Sequence, residues 1–324
     1  MSAYGLTIPL GNVPLHGQRQ LIESLTDLGY TDVWSAESGG SDAFTPLALA
    51  AAWNPNLRLG TAIVPAFTRG APTLAQSAAA LADAAPGRVA LGIGTSSNVI
   101  VEKWNGIPFD KPYQRVRDVV RFLRVALTGQ KITERYETFN VDGFRLLLVP
   151  QVQPKLLIAA LRPGMLRLAG AEADGAIINW LGADDVPTVV PYVHEGGPDK
   201  EIVARIFVCP TDDAAAARTV AKTAIAGYMT VPVYRAFHEW LGRTEALGPM
   251  WKHWAEGDRK AATASVPDEV ADALVVHGTP AQCKAHIQRY VDNGVTTPAI
   301  ALLPVPGQTP ADVADHVRAL APNS

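Results

Sequence analysis

Gly94, Thr95, Ser96, Ser97 and Asn98 follow directly on the apolar run Val89–Ile93. Hydroxyl and amide groups released where a strand stops can hydrogen-bond a polar ligand, and Gly94 lets the backbone turn sharply or approach a flat one. The run itself is β-branched or aliphatic at nearly every position, which suits a strand covered on both faces. In a parallel α/β protein, ligands bind at the carboxyl ends of the strands. This loop is therefore the first candidate for ligand contact, and an ordinary polar loop is the competing reading. Other chemistries find little here. The seven histidines are scattered singly, so no metal site is expected. Cys209 and Cys283 lack metal-ligand spacing and read as small core residues in a reducing cytoplasm.

The elements that must position this loop repeat regularly. Strand patterns cover Leu6–Leu10, Tyr30–Glu37, Leu57–Pro65, Val89–Ile93, Leu156–Ala160, Ala176–Leu181, Val203–Val208 and Pro298–Leu303. Helical spacing intervenes, as in Leu21, Ile22, Leu25 and Leu28 before Gly29, and in Val116, Val119, Val120, Leu123 and Leu127 before Gly129. The first four units recur about every 30 residues, as a parallel β–α array requires. Phe139–Phe144 interrupts the array with an Asp142-Gly143 hairpin signal. From about 211 to 278 the pattern is helical with aromatic interruptions, too long for a simple crossover. Residues 1–324 thus read as one α/β domain, a (β/α)8 TIM barrel with a helical insertion before strand eight. A doubly wound open sheet is the second choice.

Composition narrows the partners. The chain has 324 residues, 48% of them hydrophobic, with a net charge of −3. No Lys/Arg-rich run gives a nucleic acid a footprint. No apolar run reaches the roughly 20 residues of a membrane span. The opening MSAYGLTIPLG passes straight into a strand, so no signal peptide is expected and the protein reads as cytoplasmic.

Three stretches carry a family resemblance: Leu59–Pro65 (LGTAIVP), Pro86–Gly94 (PGRVALGIG) and Ala159–Gly170 (AALRPGMLRLAG). Their order and spacing resemble the bacterial-luciferase-like superfamily of flavin- and deazaflavin-dependent oxidoreductases. The likeness is nearest to members that use coenzyme F-420. It implies the same barrel with an insertion before strand eight. It further implies a non-prolyl cis peptide at Ala62–Ile63 backing the central ring of the cofactor. Gly94, Thr95 and Ser96 match the loop that reaches the ring and side chain. Ala160, Arg162, Pro163, Gly164 and Met165 match the loop that holds the phosphate. Backbone N–H groups at a helix start suit an anion, and Arg162 can add a charge-assisted bond.

Glu37 matches an acidic position at the end of strand two. A carboxylate in an apolar barrel mouth can donate a proton; paired with a lysine or arginine at the rim, it would be structural. Where several relatives carry a catalytic histidine after this acid, Ser38 stands here. Where the sugar-phosphate dehydrogenase branch has a glutamate after the fourth-strand glycines, Ser97 stands here. Both departures argue against glucose-6-phosphate oxidation. Ser38, Ser97, Asn179 and Trp180 are then candidates for the substrate pocket, although for Trp180 packing under the insertion is the favoured reading. Tyr228, Tyr234, Phe237 and Trp240 read as core or subunit interface.

The resemblance implies an oxidoreductase that moves a hydride between coenzyme F-420 and a small organic substrate. One alternative is an FMN-dependent monooxygenase, since FMN activates oxygen and a 5-deazaflavin does not readily do so. Another is a non-catalytic protein that binds a flavin or deazaflavin. A homodimer is expected from the resemblance and from Ala48, Ala50, Ala51, Ala52, Ala78, Ala79 and Ala80, which allow close helix approach.

Overall fold

Strands buried on both faces must be covered on one side by helices and filled on the other by their own side chains. The computed structural model, which describes residues 3–11 and 13–324 and so leaves Met1, Ser2 and Asn12 outside the described residues, shows this arrangement. Its strands are β1 (Gly5–Thr7), β2 (Asp32–Ser35), β3 (Arg58–Thr61), β4 (Val89–Gly94), β5 (Lys155–Ala159), β6 (Gly175–Asn179), β7 (Glu201–Cys209) and β8 (Thr297–Leu302). Each pairs in parallel with the next, and β8 pairs with β1, so the barrel is closed and the open sheet is excluded.

The expected insertion is present. Helices Ala214–Tyr228, Pro232–Trp240, Thr244–Ala255, Arg259–Ala264 and Asp268–Leu274 lie between β7 and β8. A short strand, Val275–His277, then pairs with β7. Met229, Met250, Trp251 and Leu274 of this segment form a second apolar core with Trp180 and Phe207. Of the alanines expected to mediate subunit contact, Ala50, Ala78 and Ala79 are buried within the chain itself, while Ala48, Ala52 and Ala80 are exposed.

One expected turn falls elsewhere. A hairpin of Ile132–Arg135 and Asn140–Phe144 does form. Asp142-Gly143, however, lies inside its second strand. Ile132 pairs with Phe144 and Glu134 with Val141, so the second strand holds an extra residue there. Gly143, at φ 72°, takes the left-handed conformation that such a bulge requires.

The barrel interior is layered, because alternate strand residues point inward. Arg58, Asp32, Lys155, Glu201 and Thr297 each begin a strand and close the amino-terminal end. Arg58 grips both oxygens of Glu201 at 2.5 and 2.8 Å and reaches Asp32 at 3.2 Å. Trp34, fully buried, fills the next layer with Ala90, Leu157, Ile177, Val203 and Ala299. Glycines make room for it: a β-carbon on Gly60 would lie 2.1 Å from the Trp34 ring, and one on Gly5 2.7 Å from it. Gly92 is as constrained, since a β-carbon there would lie 2.0 Å from the Thr61 carbonyl oxygen and 2.2 Å from Ile177. Gly92→Ala should therefore cost about 1–3 kcal/mol of stability, read as a lower urea midpoint. An unchanged midpoint would contradict this packing.

Candidate functional site at the carboxyl ends of the strands

The third strand does not run straight into its loop. After β3 the Ala62–Ile63 peptide is cis, at the bond that the resemblance singled out. Ala62 N–H donates to the Ser35 carbonyl at 2.6 Å, and Glu37 N–H donates to the Ile63 carbonyl at 3.0 Å. Val64–Pro65 then pairs beside Ile93–Gly94, and Ala66 N–H donates to the Gly94 carbonyl. A β-carbon on Gly94 would lie 3.0 Å from both Ile63 Cδ1 and Ala159 Cβ. Partly buried Ala62, Ile63 and Ala159 thus meet the buried Gly94 in one wall across β3, β4 and β5, with Ile63 its one large side chain.

The polar loop follows that wall. Thr95, Ser96 and Ser97 are half-buried. Ser96 adopts φ 61°, uncommon for a residue with a side chain and frequent at ligand sites. Thr95 Oγ1 donates to the Ser96 carbonyl at 3.1 Å. Ser97 is engaged locally: its hydroxyl accepts from Ile100 N–H, and its carbonyl from Val101 N–H, at the start of the helical turn Val99–Trp104. Ser38 lies on an exposed loop. A β-carbon on the adjacent Gly39 would lie 3.7 Å from Trp104, itself 59% exposed.

On the far side of the wall, Ala160 is buried and donates its N–H to the Ile177 carbonyl at 2.9 Å. Arg162 is exposed and precedes the helix Pro163–Glu172. No side chain caps that helix, and a β-carbon on Gly164 would meet nothing within 4 Å. Met165 packs partly against the main core.

Two expectations need correction. Glu37 does not stand in apolar surroundings. Arg69 donates from Nε and Nη2 to its Oε1 at 2.9 and 2.6 Å, and Ala43 N–H lies 3.4 Å from the same oxygen. The rim pairing held open as the alternative is the one that forms, and it leaves Oε2 without a hydrogen bond among the described residues. Trp180, second, is only 1% exposed. Its ring lies 4.0 Å from that of Phe207 and 4.8 Å from that of Tyr228, so it packs under the insertion instead of walling an open pocket. Its φ of 52° is left-handed, directly after β6 ends at Asn179. Asn179 stays half-buried at the mouth, its side-chain amide 3.4 Å from Tyr234 Oη.

Sequence reasoning missed Arg69 and Arg205. Arg69 carries no local signal, because its partner lies in another loop. Arg205 does carry one, as a charge in the middle of the apolar run Ile202–Cys209. Among the described residues no group of His, Cys, Asp and Glu side chains could hold a metal ion.

A closed parallel barrel with helices around it defines a (β/α)8 protein, a class in which ligand sites lie at the carboxyl ends of the strands. More narrowly, the chain belongs to the luciferase-like monooxygenase family, whose model matches residues 3–297. It is 28% identical over 322 residues, covering 88% of this chain and 90% of the relative, to a Mycobacterium tuberculosis protein provisionally named a coenzyme F-420-dependent oxidoreductase. It is 27% identical, over 83% of this chain and 84% of the relative, to the 5,10-methylenetetrahydromethanopterin reductase of Methanolobus tindarius. Its fold matches the coenzyme F-420-dependent tetrahydromethanopterin reductase of Methanopyrus kandleri with a TM-score of 0.80 at 19% identity, over 99% of this chain and 98% of that one.

Proposed function

We propose that this protein is a coenzyme F-420-dependent oxidoreductase acting on a small organic substrate. The observation that carries the reading is the continuous wall of Ala62, Ile63, Gly94 and Ala159, which runs from the polar loop towards an uncapped helix start. The names of the relatives support the choice of cofactor.

The residues present suit that cofactor. Three of the four wall residues carry no more than a methyl group, so a planar ring can lie against backbone. Thr95 and Ser96 offer hydroxyls beside the ring. Arg162 and the N–H groups of Gly164 and Met165 suit an anionic tail. When bound, coenzyme F-420 would supply the hydride chemistry, and the protein supplies binding, orientation and exclusion of water. Asn179, across the mouth, can orient a polar group of the substrate. Glu37, held at one oxygen by Arg69, can turn the other towards a substrate hydroxyl and accept its proton, the general-base role still open to a carboxylate paired at the rim. Ser38 and Ser97 stand farther out, on the rim loops. We further read the enzyme as a cytoplasmic homodimer. Among the described residues no helix is long and apolar enough to cross a membrane.

Turnover of reduced coenzyme F-420 against a panel of unsaturated carbonyl compounds, followed by absorbance, tests the reading. Oxidation of the cofactor with at least one of them is expected. Tight binding without turnover on any member would point instead to a carrier of the cofactor. The phosphate grip has its own test. Losing a charge-assisted bond costs about 1.5–3 kcal/mol, so Arg162→Ala should weaken coenzyme F-420 binding about tenfold or more by fluorescence titration. Unchanged affinity would show that Arg162 only faces solvent.

A further inference from the structure

Among the described residues, Arg205 is a cation in the barrel interior without a counter-charge. It lies in β7 two residues beyond Val203, whose side chain belongs to the interior layer around Trp34. Strand alternation therefore points Arg205 inward, one layer nearer the carboxyl ends. Its register neighbours are Asn179 of β6 and Ala299 of β8. The guanidinium carbon lies 5.1 Å from the centre of the Phe207 ring. Nε is sheltered from solvent and has no hydrogen-bond partner. Among the described residues Arg205 makes no salt bridge and no side-chain hydrogen bond. The other arginines that are not fully exposed all make one: Arg58, Arg69, Arg88, Arg115, Arg117, Arg124, Arg218 and Arg243.

Removing a guanidinium from water without a counter-charge opposes folding, and buried charges are normally paired. An unpaired one at the ligand-binding rim of a barrel is explained by a ligand that brings the negative charge. In a ring of eight strands, β7 lies opposite β3. The Arg205 side of the mouth therefore faces the wall at Ala62–Ile63, with Asn179 beside it and Tyr234 on Asn179. A molecule between the two sides would turn its anionic end towards Arg205.

We propose that Arg205 is the carboxylate-binding residue of the substrate site, and that the substrate is a small organic acid held with its carboxylate on Arg205 and Asn179 and its reactive carbon towards the wall. This rests on the oxidoreductase reading for what happens to the substrate, but its binding claim stands without it. A planar fork of N–H donors matches a carboxylate in two-toothed fashion, which a neutral carbonyl does not exploit.

The test uses the purified full chain without cofactor, so that it can fail while coenzyme F-420 binding succeeds, or the reverse. Crotonate serves as the acid and crotonamide as its neutral isostere, with affinity read by calorimetry or by ligand-observed NMR. Crotonate is expected to bind at millimolar concentrations and crotonamide about tenfold or more weakly. Arg205→Gln should lose that preference, and Arg205→Lys should keep part of it. A thermal scan separates ligand recognition from a structural role. Arg205→Met without ligand should melt no lower than the wild type, and crotonate should raise the melting temperature of the wild type alone. Equal binding of acid and amide by the wild type, no binding of crotonate, or an Arg205→Gln protein with undiminished crotonate affinity would each overturn the proposal. If Arg205→Gln does not fold, the comparison of acid with amide on the wild type still decides.

Discussion

Arg58→Met should destabilise the fold by about 3–5 kcal/mol at neutral pH, because it strands two carboxylates at the closed end of the barrel. Glu201 and Asp32 are 9% and 2% exposed at their side chains, and both depend on the one guanidinium. Lys155 is 3.5 Å from Glu201 but itself 60% exposed, so it replaces little of that charge. The pH dependence follows from the Glu201 carboxyl. Burial pushes it up, but the hydrogen bonds and charge of Arg58, helped by Lys155 and Thr297, outweigh burial and hold it below its ordinary value. A group lowered in this way stabilises the fold above the ordinary carboxylate range and loses that contribution as pH falls through its folded value. Asp32 behaves oppositely. Burial dominates over Thr31 and Arg58 and leaves it raised, so it takes up its proton first. The deficit of Arg58→Met should thus be larger at pH 7 than at about pH 4, because carboxylates stripped of their counter-charge are raised by burial and begin to take up protons above the ordinary carboxylate range. Urea unfolding at both pH values measures it. A loss below about 1 kcal/mol at pH 7, within the range of exposed pairs, would contradict the argument.

Glu37→Gln is expected to cut turnover about 10²-fold while leaving cofactor affinity unchanged, the size of effect typical of general acid–base groups. The substitution keeps the shape and the backbone bond from Glu37 N–H to the Ile63 carbonyl, so the wall should remain. It removes the charge that Arg69 holds at 2.6 Å and the group able to move a proton. Arg69→Lys should fall between wild type and Glu37→Gln, because a lysine keeps the charge but not the two-toothed grip. Normal turnover in Glu37→Gln would reduce the pair to a clamp on the loop that leads to Ala43.

Much of the fold was legible because each barrel strand is a short run of apolar residues and the connection after β7 is too long for a crossover. The Asp142-Gly143 signal misled, because a left-handed glycine serves a bulge as well as a turn. In the site, the bond at Ala62–Ile63 and the polar loop after Gly94 were legible through the resemblance. The setting of Glu37 was not, since Arg69 is 32 residues away and meets it only when two rim loops close together. Trp180 was ambiguous, because its burial depends on the insertion helices that cover it. Nor does the sequence alone show that Gly5 and Gly60 serve to admit Trp34, a contact set by strand register across the barrel.

The central claim is that the wall across β3, β4 and β5 receives a deazaflavin. Titration of the purified protein with coenzyme F-420 and, separately, with FMN tests it most directly, using the fluorescence of each ligand. The account predicts saturable binding of coenzyme F-420 with a Kd about tenfold or more below that of FMN. Equal or tighter binding of FMN, or no saturable binding of coenzyme F-420, would contradict it.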